Sequence, residues 1–172
     1  MLHHKSPTSV AGGRRLPLVR TALLFGFAAL FAAPSSAGEV GAFLALPTPT
    51  DAWKTGFGFH AAIFSLPFFQ AGGEFARIGA EDPAVSITTY TAQVEFNPPS
   101  LRIKPFVGVG AGAYRETVGT NTDWGTLTAI FGGLKIPVGP ARVRAEVRKV
   151  SLSGTPHTSF DKRFSLGVSF GF

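Results

Sequence analysis

Lys162-Arg163-Phe164-Ser165-Leu166-Gly167-Val168-Ser169-Phe170-Gly171-Phe172 is the stretch that decides the fold. From Phe164 onward every even position is large and apolar (Phe164, Leu166, Val168, Phe170, Phe172), and every odd position is Ser or Gly. Period-two alternation specifies a β-strand with one apolar face and one small, polar-tolerant face. In a water-soluble sheet such a strand would leave an adhesive edge. It suits a closed barrel instead, with its apolar face toward lipid and its edge paired with the first strand.

Seven earlier runs carry comparable patterns. Glu39–Leu46 sets Val40, Ala42, Leu44 and Leu46 against Glu39, Gly41, Phe43 and Ala45. Lys54–Phe64 places Phe57, Phe59, Ala61 and Ile63 opposite Gly56, Gly58, His60 and Ala62. Phe68–Ile78, Ser86–Phe96, Arg102–Arg115, Trp124–Ile136 and Ala141–Ser151 complete the set. Short turns are expected around Pro67, Pro98-Pro99 and Val138-Gly139. They interleave with longer loops around Thr48, Glu81, Asn121 and Pro156, with Glu116–Asp123 read as one of the loops. Short turns at one rim and longer loops at the other, with an even strand count, describe an eight-stranded antiparallel up-and-down transmembrane β-barrel.

The start of the chain reads differently. Lys5, Arg14, Arg15 and Arg20 precede an apolar run from Thr21 to Ala33, and Pro34-Ser35-Ser36-Ala37 follows with small residues. This is the pattern of a cleavable secretory signal peptide, expected to span residues 1–37 with cleavage after Ala37 and to leave a barrel domain at 38–172. The full chain has 16 Lys+Arg and 10 Asp+Glu, a net charge of +6. Four basic residues lie in the signal, leaving twelve basic against ten acidic residues and a net of +2. The basic balance therefore gives no support to nucleic-acid binding.

With no cysteine, the chain has no disulfide framework and no thiolate chemistry. Charged residues make up 15% of it, against about a quarter in soluble proteins. The faces opposite the apolar ones are mostly Gly, Ser and Thr, as in Gly108, Gly110 and Gly112 or Gly167, Ser169 and Gly171. Their mid-strand charges have both signs. Glu74, Glu95, Arg144, Glu146 and Arg148 are expected to form a salt-bridge network that plugs a polar interior. Trp53, Tyr90, Tyr114 and Trp124 lie near strand ends, where an aromatic girdle is expected.

Together the signal peptide, Pro105-Phe106-Val107-Gly108-Val109-Gly110-Ala111-Gly112, the Arg142–Lys149 strand and Phe164–Phe172 carry a resemblance. The chain resembles the small eight-stranded outer-membrane barrels of Gram-negative bacteria: the OmpA transmembrane domain, OmpX, OmpW and the opacity-type surface proteins. The resemblance implies a location in the cell outer membrane and a structural or surface role. It implies contact with outer-membrane lipid and lipopolysaccharide, and a monomeric state. Phe164, Leu166, Val168, Phe170 and Phe172 would form the C-terminal signal read by the barrel-assembly machinery.

Candidate chemistry is sparse. His157-Thr158-Ser159 resembles the His-x-Ser of outer-membrane lipid A deacylases, in which His serves as base for a Ser nucleophile. It lacks the Asn expected after the Ser and a following Glu, and Asp161 lies close behind. The favoured expectation is a non-enzymatic barrel with no catalytic, cofactor or metal residues, and His157 a solvated loop histidine. His60 is expected in the polar interior rather than on a metal. A third possibility is a soluble periplasmic barrel binding a small apolar ligand, which requires the Phe-rich faces to point inward.

Overall fold

A computed structural model describes residues 38–48, 52–66, 68–98, 103–154 and 160–172, so the expected signal peptide lies outside the described residues. Eight strands follow one another in chain order: β1 (Glu39–Thr48), β2 (Gly56–Ser65), β3 (Phe69–Gly79), β4 (Val85–Phe96), β5 (Lys104–Val118), β6 (Asn121–Val138), β7 (Ala141–Ser153) and β8 (Lys162–Gly171). Each pairs antiparallel with its neighbour, and β1 pairs with β8 to close the barrel. Closure removes both sheet edges.

The seam is long and regular, running from Glu39↔Gly171 to Thr48↔Lys162. It is extended by two further bonds: Gly38 N–H donates to Phe172 O at 2.7 Å, and Phe172 N–H to Gly38 O at 3.0 Å. Strand β1 alternates buried and exposed residues without a break. That order follows from Gly, Phe and Ala filling the lumen side while Val, Leu and Ala project outward.

Three strands depart from the sequence expectation. In β2 the register shifts between Ala62 and Phe64, a bulge that reverses the parity beyond it. Phe64 therefore faces outward, and Ile63 does not continue the outward row. The expected loop from Glu116 to Asp123 is instead paired strand: β5 and β6 run on to Val118↔Asn121. Gly119 takes φ of +61° as the first central residue of that turn, and Gly139 does the same between β6 and β7. A positive φ at that position is what a tight II′ hairpin requires, and Gly adopts it without steric cost.

The termini and the turns β2–β3, β4–β5 and β6–β7 share one rim, here the terminal rim. The other four connections form the loop rim.

Candidate functional site

The lumen has two storeys. From the terminal rim to mid-barrel, Glu39, Glu74, Glu95, Lys135, Arg144, Glu146, Arg148 and Arg163 turn inward by strand parity, and all are buried. Glu146 is the hub. It accepts from Arg144 Nη2 at 2.6 Å and Arg148 Nε at 2.7 Å, and Arg163 Nη2 lies 3.4 Å away. Glu74 holds Arg163 Nη2 at 2.7 Å and Arg148 Nη2 at 2.8 Å. Glu95 accepts from Arg144 Nη1 at 2.7 Å, while Lys135 Nζ sits 2.5 Å from its other oxygen as a charge contact rather than a directed hydrogen bond. Lys135 then reaches Glu39 at 3.3 Å, and Glu39 also accepts from Arg142 at 3.0 Å. Charges thus alternate in sign from Arg142 at the rim to Arg163 and Arg148 at mid-barrel, which is how buried ions compensate one another.

The structure brings together all five expected network residues, Glu74, Glu95, Arg144, Glu146 and Arg148. Four other members lie outside the sequence expectation: Glu39, which it puts on the correct face but not in the network, and Arg142, Lys135 and Arg163. Parity alone identifies Lys135 and Arg163. Lys135 lies between outward Leu134 and Ile136, and Arg163 precedes outward Phe164.

Inward phenyl rings wall this layer. Arg144 lies 3.9 Å over the Phe106 ring, Arg148 4.2 Å over Phe131 and Arg163 5.0 Å over Phe43. A planar guanidinium can stack on a ring while keeping its edge for carboxylates. His60 stacks on Phe43 and its Nε2 lies 3.4 Å from Glu39. No group of three or more His, Cys, Asp or Glu among the described residues is placed to hold a metal.

The expectation of a polar interior needs correction, because the half toward the loop rim is mostly apolar, with Glu116 buried there as well. Ile78, Ile87, Tyr114, Leu127, Ala129 and Val150 pack there as one cluster with Trp53 and Phe160. Trp53 and Phe160 come from outside the strands and meet edge to face at 5.5 Å. Two members of the expected girdle are therefore inside: Trp53 is 4% exposed, and Tyr114 donates its hydroxyl to Ser153 O at 3.2 Å. The other two face outward, where Tyr90 stacks on Trp124 at 6.1 Å.

Little space remains. A void of about 10 Å³ among Glu39, His60, Gln70, Glu95, Lys135 and Arg144 is at the lower limit for one water. Below it the terminal rim opens as a cup of about 350 Å³ lined by Gln70, Asn97, Lys104, Lys135 and Arg142. His157 and Ser159 lie outside the described residues.

The outer surface is a belt of large apolar side chains, including Leu44, Phe59, Val94, Val109, Val147 and Phe170, each roughly half exposed. The Phe-rich faces thus point out, opposite to what an apolar-ligand barrel requires. Phe164, Leu166, Val168, Phe170 and Phe172 of the terminal strand all lie in this belt. No helix among the described residues is long and apolar enough to cross a membrane, which leaves strand-spanning open.

No protein-family model matches the chain, and no curated protein matches it in sequence. Its fold is similar to solved structures. Neisserial surface protein A shares 14% identity at a TM-score of 0.61, over 79% of this chain and 95% of that one. The N-terminal β-barrel domain of Pseudomonas aeruginosa OprF shares 17% at 0.56, over 79% and 97%. A de novo designed transmembrane β-barrel shares 12% at 0.53, over 81% and 98%. At these identities the likeness is one of fold.

Proposed function

We propose that this chain is a bacterial outer-membrane β-barrel with a structural or surface role, filled rather than open, and not an enzyme. The observation that carries the reading is the inversion of its two surfaces. A layer of buried carboxylates and guanidiniums lies in the lumen, while half-exposed Phe, Leu, Val and Ile cover the outside. A water-soluble protein rarely exposes so continuous an apolar surface, whereas a lipid-facing barrel requires it. In this reading residues 1–37 direct export, the monomer contacts outer-membrane lipid and lipopolysaccharide, and strand β8 engages the assembly machinery. Among the described residues, the charged layer and the apolar storey above it fill the lumen.

The test is refolding of residues 38–172 into phosphatidylcholine vesicles, followed by gel electrophoresis in SDS with and without boiling. A closed barrel migrates at a different position until boiled. A single position under both conditions, with the chain remaining in solution without detergent, would refute the reading.

A further inference from the structure

Charge on the strands is sorted by face. Glu39, Glu74, Glu95, Glu116, Asp123 and Glu146 all occupy lumen-side positions in the pairing register. The charged strand residues on the outer face are Arg77, Arg115, Lys149 and Lys162, all cationic. All four stand in the part of their strands nearest the loop rim, at or within a few residues of Gly79, Val118, Ser153 and Lys162. The belt at the terminal rim has no such feature; its outward residues there include Phe64, Phe69, Phe96 and Phe170. A surface that merely needed solubility would mix both signs.

The cations are paired in space. Arg77 and Arg115 flank Thr88 in one register row that ends on Trp124, two strand spacings apart, or about 10 Å. Thr88 faces outward between them yet is only 3% exposed, and Arg115 Nε is buried without a hydrogen-bond partner. One pleat closer to the terminal rim, Phe75 and Tyr90 continue an aromatic strip that reaches Trp124. On the other pair, Lys149 and Lys162 are directly opposite across β7 and β8. Like charges so placed repel unless an anion lies between them. None of the four has an ion-pair partner among the described residues.

We infer that this collar binds the phosphate groups of lipids in the leaflet at the loop rim, the arginines as forks and the lysines as point charges. The aromatic strip meets the same lipids at the boundary between headgroup and acyl chain. The inference rests on the membrane-barrel reading, which names lipopolysaccharide only as a contact, and adds the group recognised, its phosphates, and the four residues that hold them.

The experiment refolds the 38–172 chain in phosphatidylcholine vesicles carrying diphosphoryl lipid A, or its dephosphorylated form. The lipid retained after detergent extraction is counted by native mass spectrometry. The expected result is retention of the phosphorylated lipid alone, reduced about tenfold or more in Arg77→Gln/Arg115→Gln/Lys149→Gln/Lys162→Gln. Boiling-dependent mobility in plain phosphatidylcholine, scored for every variant, reports the barrel separately, so loss of the barrel and loss of lipid selectivity are distinct results. If the fourfold variant does not fold, the pairs Arg77→Gln/Arg115→Gln and Lys149→Gln/Lys162→Gln carry the comparison. Equal retention of both lipids, unchanged retention in the folded variants, or displacement of the lipid by inorganic phosphate would overturn the inference.

Discussion

Arg163 on β8 donates to Glu74 on β3 at 2.7 Å, joining two strands that β1 and β2 keep apart. The bond crosses the lumen rather than following the ladder. Both side chains are almost wholly buried, so removing either strips the other of a close counter-charge: among the described residues Glu74 keeps only Arg148, and Arg163 only the longer contact to Glu146. Glu74→Gln and Arg163→Met are each expected to cost about 3–5 kcal/mol. The double variant should cost clearly less than their sum, and urea unfolding of the vesicle-inserted barrel measures this. Additive losses would show that the two groups do not depend on one another.

Position within the network should set the size of the effect. Glu146 faces three guanidiniums, whereas Arg142 is about a third exposed and, among the described residues, pairs only with Glu39. Glu146→Gln is expected to lose about 3 kcal/mol or more. Arg142→Gln should lose about 1 kcal/mol or less, because water at the rim screens its charge. The same unfolding curves rank the two; a larger loss for Arg142→Gln would contradict the described geometry.

The two tryptophans report opposite surfaces. Trp124 is 58% exposed on the belt and Trp53 is 4% exposed in the apolar storey. In vesicles made with brominated lipid, fluorescence of the Trp53→Phe variant should be strongly quenched. Fluorescence of Trp124→Phe should barely change. Equal quenching would place Trp53 on the lipid side.

The outward row can be challenged directly. Val109 is 57% exposed on β5, paired with Val94 and Ile130 on the same face. Val109→Arg is expected to cost about 2–4 kcal/mol in a bilayer, since a guanidinium there must be dehydrated or must distort the lipid. A stability unchanged in vesicles would mean that this face meets water.

The seam offers a cellular test. Deleting Phe172 removes both backbone bonds to Gly38 and one outward ring. The amount of boiling-sensitive barrel recovered from membranes of expressing cells should fall several-fold. Phe172→Tyr, which keeps both bonds and an aromatic ring, should restore it. Indifference to the deletion would remove the proposed assembly role of the last strand.

The fold was legible because lumen and exterior demand different residues, and a strand writes that difference at every second position. Strand β8 shows this best: once Phe164, Leu166 and Val168 face out, the side of every other residue follows. The same rule turns Lys135, between Leu134 and Ile136, and Arg163, beside Phe164, inward, although a cation among apolar residues gives no other sign of a buried role. Parity says nothing about Trp53 or Phe160, which lie outside the strands and fold back over the lumen. An aromatic near a strand end suits a girdle, yet Tyr114 shares the parity of Gly108, Gly110 and Gly112, which turns it inward, and its register with Thr89 and Gly125 agrees. The Gly119 turn was obscured by polar residues on both sides that resemble loop but pair as strand.

The bonds that cross the lumen have a mechanical meaning. Arg144 ties β7 to Glu95 on β4, Lys135 ties β6 to Glu39 on β1, and Arg163 ties β8 to Glu74 on β3. A bare ring of strands flattens easily under lateral compression, because its ladder bonds can pivot without breaking. Spokes at several angles remove that soft mode: an oval cross-section must stretch at least one of them. The molecule should therefore keep a round outline as bilayer tension changes, and present its neighbours with a boundary of fixed shape.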